Sequence, residues 1–333
     1  MQYRTLGSTG VQVSALCYGT MSFGGDADEA TSGQLFARCR DAGINFFDCA
    51  NMYERGLSEE ILGRLIADCR DELVITSKVC MPMSDDPNAR GLTRRAIMLG
   101  IDASLRRLKT DRLDLYFVHH TDPLTPMAET IGALDDLVRA GKILYPAVSN
   151  WSAWETAKAL GISAGKGQAR FACMQPMYSL AKRQAEVELL PLAASEGLGV
   201  TPYSPMGGGL LSGKYSTKAK PGSGRLVDNK MYAARYGDGT PFEIAERFTA
   251  YAKEQGEHPA TLAVAWVMNH PAVTAPIIGA RNLEQLEPSL KAAEIEMNDA
   301  LRAEISALSP DPPLATDRAE EKAGIGRGVA KRV

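Results

Sequence analysis

Histidine is scarce in this chain and cysteine never occurs as a close pair. Six cysteines, at positions 17, 39, 49, 69, 80 and 173, and four histidines are spread over 333 residues. None forms a Cys-x-x-Cys pair or a His spacing suited to a metal ion, which excludes the common structural zinc sites and a disulfide scaffold. Scattered thiols of this kind are expected to be reduced and buried. Charge of one sign is also lacking: 37 basic and 40 acidic residues leave a net of −3. Nothing electrostatic therefore favours a nucleic acid or an acidic membrane surface as a partner. The densest apolar run, Leu262-Ala263-Val264-Ala265-Trp266-Val267-Met268, falls far short of the roughly 20 residues a spanning helix needs. The opening Met1-Gln2-Tyr3-Arg4-Thr5-Leu6 has no apolar core of a signal peptide, so the expected location is the cytoplasm. No Gly-x-Gly-x-x-Gly follows the first strand-like run, which argues against an open doubly wound sheet.

What is present is alternation. Apolar residues make up 45% of the chain and charged residues 23%, enough for a sizeable core. After a hairpin (Tyr3 to Leu6, the turn Gly7-Ser8-Thr9-Gly10, Val11 to Ser14) comes Ala15-Leu16-Cys17-Tyr18-Gly19-Thr20, then an amphipathic stretch from Glu29 to Ala42 closed by Gly43, a typical C-cap residue. Strands are expected at 44–48, 73–78, 112–118, 143–148, 170–173, 198–203 and 273–278, with helices at 57–68, 91–108, 127–140, 152–160, 184–196 and 242–255. With the run at 15–20 this makes eight strands separated by helices. The pattern predicts an α/β fold, a closed (β/α)8 TIM barrel with an N-terminal β-hairpin at its bottom and extra C-terminal helices. Residues 206–240 form a long Gly-rich and basic excursion, a length commonly tied to function. With no internal repeat, one domain covers 1–333, its tail 309–333 expected to be loosely structured.

Three of the strand-like runs end in groups that ionise or donate: Asp48 after Ile44-Asn45-Phe46-Phe47, Lys78 after Leu73-Val74-Ile75-Thr76-Ser77, and His119 after Leu113-Asp114-Leu115-Tyr116-Phe117-Val118, with Tyr53 close behind the first. Singly, each has an ordinary role: a turn cap, a surface lysine, a loop tyrosine, a satisfied histidine. A parallel barrel gathers strand C-termini on one rim, where such folds build their sites. There a phenol beside an ammonium is a proton donor whose pKa the cation lowers, Asp48 would hold Lys78 in place, and a histidine can orient a carbonyl oxygen. His120 competes with His119 for that role. Cys49 and Cys80 lie near these residues, but no paired histidine marks either as a nucleophile. No metal is expected.

These residues lie in motifs that resemble the aldo-keto reductases, of the bacterial type that is also similar to voltage-gated potassium channel beta subunits. The resemblance runs from Tyr3-Arg4-Thr5-Leu6-Gly7 to Leu286. It rests on Phe46-Phe47-Asp48-Cys49-Ala50-Asn51-Met52-Tyr53, Ser58-Glu59-Glu60-Ile61-Leu62-Gly63, Ser77-Lys78, Asp114 to His119, Ser149-Asn150, Gln175, Tyr203-Ser204-Pro205-Met206-Gly207-Gly208-Gly209-Leu210 and Ile278-Gly279-Ala280-Arg281. It implies reduction of an aldehyde or ketone, for instance a sugar or another bulky carbonyl, with hydride from NADPH and the proton from Tyr53. The histidine directly after the apolar residues of the fourth strand, His119, takes the family's position.

The resemblance further implies that Gly19, Thr20, Met21 and Asp48 lie by the nicotinamide and that Ser149, Asn150 and Gln175 bind its carboxamide. Tyr203 would stack on the nicotinamide face, and Ser204, Pro205, Met206 and Gly208 would wrap the pyrophosphate. Lys214 and Arg225 would clasp the phosphates, while Gly279, Arg281, Gln285 and Ser289 would hold the adenosine end. Arg281 at the 2′-phosphate position favours NADP(H) over NAD(H). Departures from the pattern are Pro288 and Ser289 where an acidic residue and asparagine are frequent, Cys49 in place of threonine, and His120 in place of tryptophan.

Methionines 21, 52, 81, 83, 177 and 206 all follow strand ends. If they converge, the substrate cleft has a soft apolar wall, shared by Met21, Met52, Tyr53, His119, His120 and Trp151. The expected partner is a small-molecule carbonyl compound; the oligomeric state is not encoded in any motif. Two other readings exist: an NADP-binding regulatory or redox-sensing module like the channel subunits, and a barrel isomerase or aldolase using Lys78 as a Schiff base. Pairing with Asp48 disfavours the second, because it keeps the ammonium charged.

Overall fold

Period-two alternation along the apolar runs decides the architecture, because it sends one set of side chains into a barrel and the other toward helices. The computed structural model describes residues 1–218, 221–237 and 239–316. Strands β1 (Tyr3–Thr5) and β2 (Gln12–Ser14) form the antiparallel hairpin. The barrel strands are β3 (Cys17–Gly19), β4 (Phe46–Asp48), β5 (Val74–Val79), β6 (Leu113–Val118), β7 (Ile143–Ser149), β8 (Cys173–Gln175), β9 (Gly199–Val200) and β10 (Ile277–Ile278). They pair in parallel in the order β10-β3-β4-β5-β6-β7-β8-β9. Backbone bonds from Thr274 N to Val200 O (2.9 Å) and from Ile277 N to Pro202 O (2.9 Å) join the last two strands and close the ring.

Inside the barrel, Cys17, Phe46, Leu115, Phe117, Ala147 and Cys173 form one apolar cluster with Leu6 and Val13 of the hairpin, all fully or almost fully buried. The hairpin thus plugs the N-terminal end. Arg4 fastens it by donating to the carbonyls of Met268 (2.6 Å) and Val273 (3.2 Å). Each large apolar side chain removed from water here contributes about 1.5–3 kcal/mol. Outward residues Phe47, Ile75, Tyr116 and Val118 join the larger cluster beneath the helices.

The surrounding helices are α1 (Glu29–Asp41), α2 (Leu57–Leu65), α3 (Arg94–Leu108), α4 (Met127–Arg139), α5 (Ala153–Lys166) and α6 (Leu189–Glu196), followed by α7 (Arg225–Asp228), α8 (Lys230–Tyr236), α9 (Thr240–Glu254), α10 (Pro259–Met268), α11 (Leu283–Leu290) and α12 (Asp299–Ser306). Caps set their starts. Thr93 accepts from Ala96 N, which begins α3 later than expected, and Ser152 with Glu155 forms a capping box on α5. Helix α10, absent from the expected elements, is buried along its whole length. A helix that is apolar on all sides shows no 3.6-residue period to read. The excursion 206–240 is not a plain loop but carries a 3-10 turn (Gly207–Ser212), α7 and α8. Residues 309–316 contain no helix or strand, although Arg183 ties their start through the Ser309 carbonyl (3.2 Å) and Asp311 (3.1 Å). The rest of the expected tail, 317–333, lies outside the described residues. Among the described residues no helix is long and apolar enough to cross a membrane.

Candidate active site

Thr76 and Lys78 point into the barrel and Ser77 points out, where it donates to the buried Glu59 of α2. Arg107 of α3 also donates to Glu59, at 2.7 Å, so helix packing fixes the register that turns Lys78 inward. The Lys78 ammonium is fully buried, 2.6 Å from Asp48 Oδ2, 2.6 Å from the Cys49 carbonyl and 3.3 Å from the Tyr53 hydroxyl. The other carboxylate oxygen of Asp48 accepts from Thr76 (2.8 Å) and from Gln175 (2.9 Å). The carboxylate is thereby held from two strands, β5 and β8.

Tyr53 reaches this pair through a tight reversal. It opens a 3-10 turn after β4, in which Glu54 (φ 45°) and Arg55 (φ 53°) are left-handed and Gly56 (φ 99°) follows. Left-handed non-glycine residues cost about 1–2 kcal/mol each, and the strain is carried beside the site. The left-handed angle at Gly56 favours glycine, and a Cβ there would lie 2.8 Å from the Arg107 side chain and displace its end. The Tyr53 and His119 rings meet edge to face at 6.2 Å. The His119 carbonyl accepts from Asn150 Nδ2 (2.9 Å), and Asn150 Oδ1 accepts from the Tyr203 hydroxyl (2.8 Å). Asn150 (φ 58°) and Ser204 (φ 57°) are further left-handed residues on this rim.

Burial is the largest influence on Tyr53, Lys78 and His119. It pushes the Tyr53 phenol up to about 12, outweighing the lowering effect of Lys78, with Asp48 acting in the same direction as burial. The cation acts in the expected direction, and burial sets the net rise. Burial works against the Lys78 ammonium, yet Asp48 and the phenol outweigh it and leave its pKa raised. His119 is lowered to about 3 by burial and then by Lys78 and His120, so its ring is neutral at physiological pH. Burial raises the Cys49 and Cys80 thiols to about 12 and about 11, which keeps both protonated and unreactive. No group of three or more metal-binding side chains occurs among the described residues.

A cavity of about 530 Å³ opens over these residues. Its wall includes Met21, Met52, Met81 and Met206, while Met83 and Met177 of the expected methionine set lie elsewhere. His120 lines it as an exposed residue whose Nδ1 accepts from Thr121 N (2.9 Å). Gly19, Ser149, Asn150, Gln175, Tyr203, Ser204, Pro205, Gly208, Arg225 and Gly279 also reach the cavity. Thr20 does not: its hydroxyl donates to the Asp48 carbonyl and accepts from Ser58. Nor does Trp151, which is buried edge-on against Phe171 at 5.7 Å. Lys214, Arg281, Gln285 and Ser289 lie outside the main cavity. Ser289 is fully buried, and Gln285 accepts from the backbone N of Arg281. Residues not foreseen at the cavity include Met231, Tyr232 and Arg235 of α8. Asn229, whose side chain caps α8 at Met231 N and Tyr232 N, was the available signal.

A cluster of cations beside the cavity, reached from it through Arg225, suits a polyanion. Lys214 is lowered by burial and then by the neighbouring charges of Arg281 and Arg225, and none of the three forms an ion pair among the described residues. Gly208 (φ 67°) and Gly209 (φ 97°) bring bare backbone beside them; a Cβ on Gly208 would stand 2.7 Å from the Tyr232 ring. Clustered cations facing a glycine-rich backbone after the seventh barrel strand are what a dinucleotide's phosphates need. The residues present therefore fit a nicotinamide dinucleotide.

A closed parallel barrel with a buried ammonium, carboxylate and phenol at its C-terminal rim defines a barrel oxidoreductase. Residues 15–310 match the Aldo/keto reductase family, and the chain belongs to that family, whose members use nicotinamide cofactors on small carbonyl substrates. It is 39% identical over 330 residues to the uncharacterized oxidoreductase YrpG of Bacillus subtilis, covering 96% of this chain and 99% of that one. It is 34% identical to a probable voltage-gated potassium channel subunit beta of Arabidopsis thaliana (89% and 92% covered). With a norsolorinic acid reductase of Aspergillus flavus the identity is 32% (91% and 79% covered).

Proposed function

We propose that the protein is an NADP(H)-dependent carbonyl reductase in which Tyr53 is the proton donor. The observation that carries this reading is the Tyr53 hydroxyl 3.3 Å from a fully buried Lys78 ammonium that Asp48 holds at 2.6 Å. When bound, the dinucleotide supplies the hydride that adds to the carbonyl carbon. Tyr53 then gives its proton to the carbonyl oxygen, and the phenolate left behind is stabilised by Lys78. Asp48 keeps Lys78 charged and aimed, and neutral His119 orients the substrate oxygen through its ring N–H.

Ser149, Asn150, Gln175 and Tyr203 would hold the nicotinamide. Lys214, Arg225 and Arg281 would hold the phosphates, with Arg281 favouring NADP(H). The methionine wall suits a bulky carbonyl compound, since flexible thioethers adapt to irregular shapes.

The test follows NADPH absorbance with a panel of aldehydes, ketones and sugar carbonyls, for wild type and Tyr53→Phe. Turnover in wild type that falls by at least a hundredfold in the variant is expected. NADPH binding without turnover on any carbonyl would move the reading to a cofactor-binding regulatory module.

A further inference from the structure

Arg235 stands apart from the three cations assigned to the cofactor's phosphates. Its guanidinium carbon lies 5.6 Å from the centre of the Tyr203 ring and 4.8 Å from that of Tyr232. Tyr203 leads by two hydrogen bonds through Asn150 to the His119 backbone, which places Arg235 at the nicotinamide and substrate end of the cavity. Arg225 shares the Tyr232 ring at 5.2 Å. It differs in acting with Arg281 on Lys214, a set of influences in which Arg235 has no part.

Arg235 has spare donors. Among the described residues it forms no ion pair, and its one hydrogen bond goes weakly to Met231 Sδ at 3.9 Å. Asp48 is the only carboxylate lining the cavity among those residues, and Lys78 already holds it. The wall also carries Met21, Met52, Met81, Met206 and Met231, none of which can satisfy a guanidinium. An arginine is always charged, its flat face stacks on rings, and its edge presents a fork that matches a carboxylate. Two aromatic contacts fix the face and leave the edge for a ligand.

Building on the carbonyl-reductase reading, we propose that Arg235 is a specificity-determining residue that binds a carboxylate on the substrate, several bonds from the reacting carbonyl. The favoured class is then an aldehyde or ketone that also carries a carboxylate, with an apolar body against the methionines.

The experiment compares kcat/KM for 4-carboxybenzaldehyde and its neutral relative methyl 4-formylbenzoate at saturating NADPH. Wild type, Arg235→Met and Arg235→Lys are measured, with NADPH Kd taken by fluorescence titration. Wild type should favour the carboxylate at least tenfold, Arg235→Met should bring the ratio close to one, and Arg235→Lys should restore part of it. A wild-type ratio near one overturns the proposal, as does a preference that survives in Arg235→Met. A tenfold rise in NADPH Kd in Arg235→Met overturns it too, by making Arg235 a cofactor clamp. If wild type reduces neither aldehyde, turnover on another carbonyl of the panel overturns this proposal alone, and no turnover on any carbonyl overturns the carbonyl-reductase reading with it.

Discussion

Gln175 Nε2 donates to Asp48 Oδ1 at 2.9 Å from the opposite side of the barrel. Its donor end is thus engaged inside the protein, and its acceptor Oε1 is the end left for a ligand N–H. A hydrogen bond to a charged group is worth about 1.5–3 kcal/mol. Gln175→Leu should lose that much stability in urea denaturation and should raise the Kd for NADPH roughly tenfold. A variant unchanged in both would show that this bond organises nothing.

The Lys78–Asp48 pair is almost completely buried. Removing one partner strands the other's charge, at a cost of about 3–5 kcal/mol. Lys78→Met and Asp48→Asn should each show a loss of that order. The double variant should be more stable than Lys78→Met alone. Additive losses in denaturation midpoints would contradict a coupled pair.

His119 has a pKa near 3 in the fold against 6.5 in the unfolded chain. Between those values unfolding takes up a proton, so the stability from keeping this ring neutral is complete above about pH 6.5 and shrinks as pH falls. At pH 5 wild type should have lost about 2 kcal/mol more than His119→Gln, relative to pH 7. His270, lowered to about 4 by burial, acts in the same direction but is present in both proteins. Equal losses in urea titrations at the two pH values would mean that the ring is not held neutral. The same neutrality predicts that carbonyl reduction shows no inflexion near pH 6.5.

Arg281 adds its charge to the Lys214 and Arg225 cluster. If it meets a 2′-phosphate, Arg281→Ala should raise the NADPH Kd about tenfold or more and leave the NADH Kd within twofold. Equal weakening of both would assign Arg281 to the pyrophosphate instead.

Strands β4, β5 and β6 were legible because each is a local apolar run that ends in a polar group, and pairing of neighbours needs no distant partner. The last two strands were legible only as longer runs. Expected at 198–203 and 273–278, they pair regularly only over Gly199–Val200 and Ile277–Ile278. Pro202 and Pro276 interrupt the ladder because neither can donate, and scattered bonds such as Thr201 N to Met174 O replace it. Trp151 follows Asn150 directly, and sequence proximity suggested the cleft. The left-handed turn at Asn150 carries the ring into the core instead. Helix α8 was hidden by its surroundings, since a Gly-rich and basic stretch reads as loop until Asn229 is recognised as a cap. The rise in the Tyr53 pKa follows from burial, which a list of neighbouring residues does not contain.

The hydrogen bonds that close the ring have a bearing on how the chain is made. β3 emerges from the ribosome early, but its partner β10 comes some 260 residues later, after every other barrel strand. Until then β3 and, from the far side, β9 present open edges that invite pairing with other chains. The quartet at 48, 53, 78 and 119 can be assembled by neighbouring strands in the first part of synthesis, whereas Gly279 and Arg281 arrive only with closure. A nascent chain could therefore hold its reacting groups in register well before it could grip a cofactor.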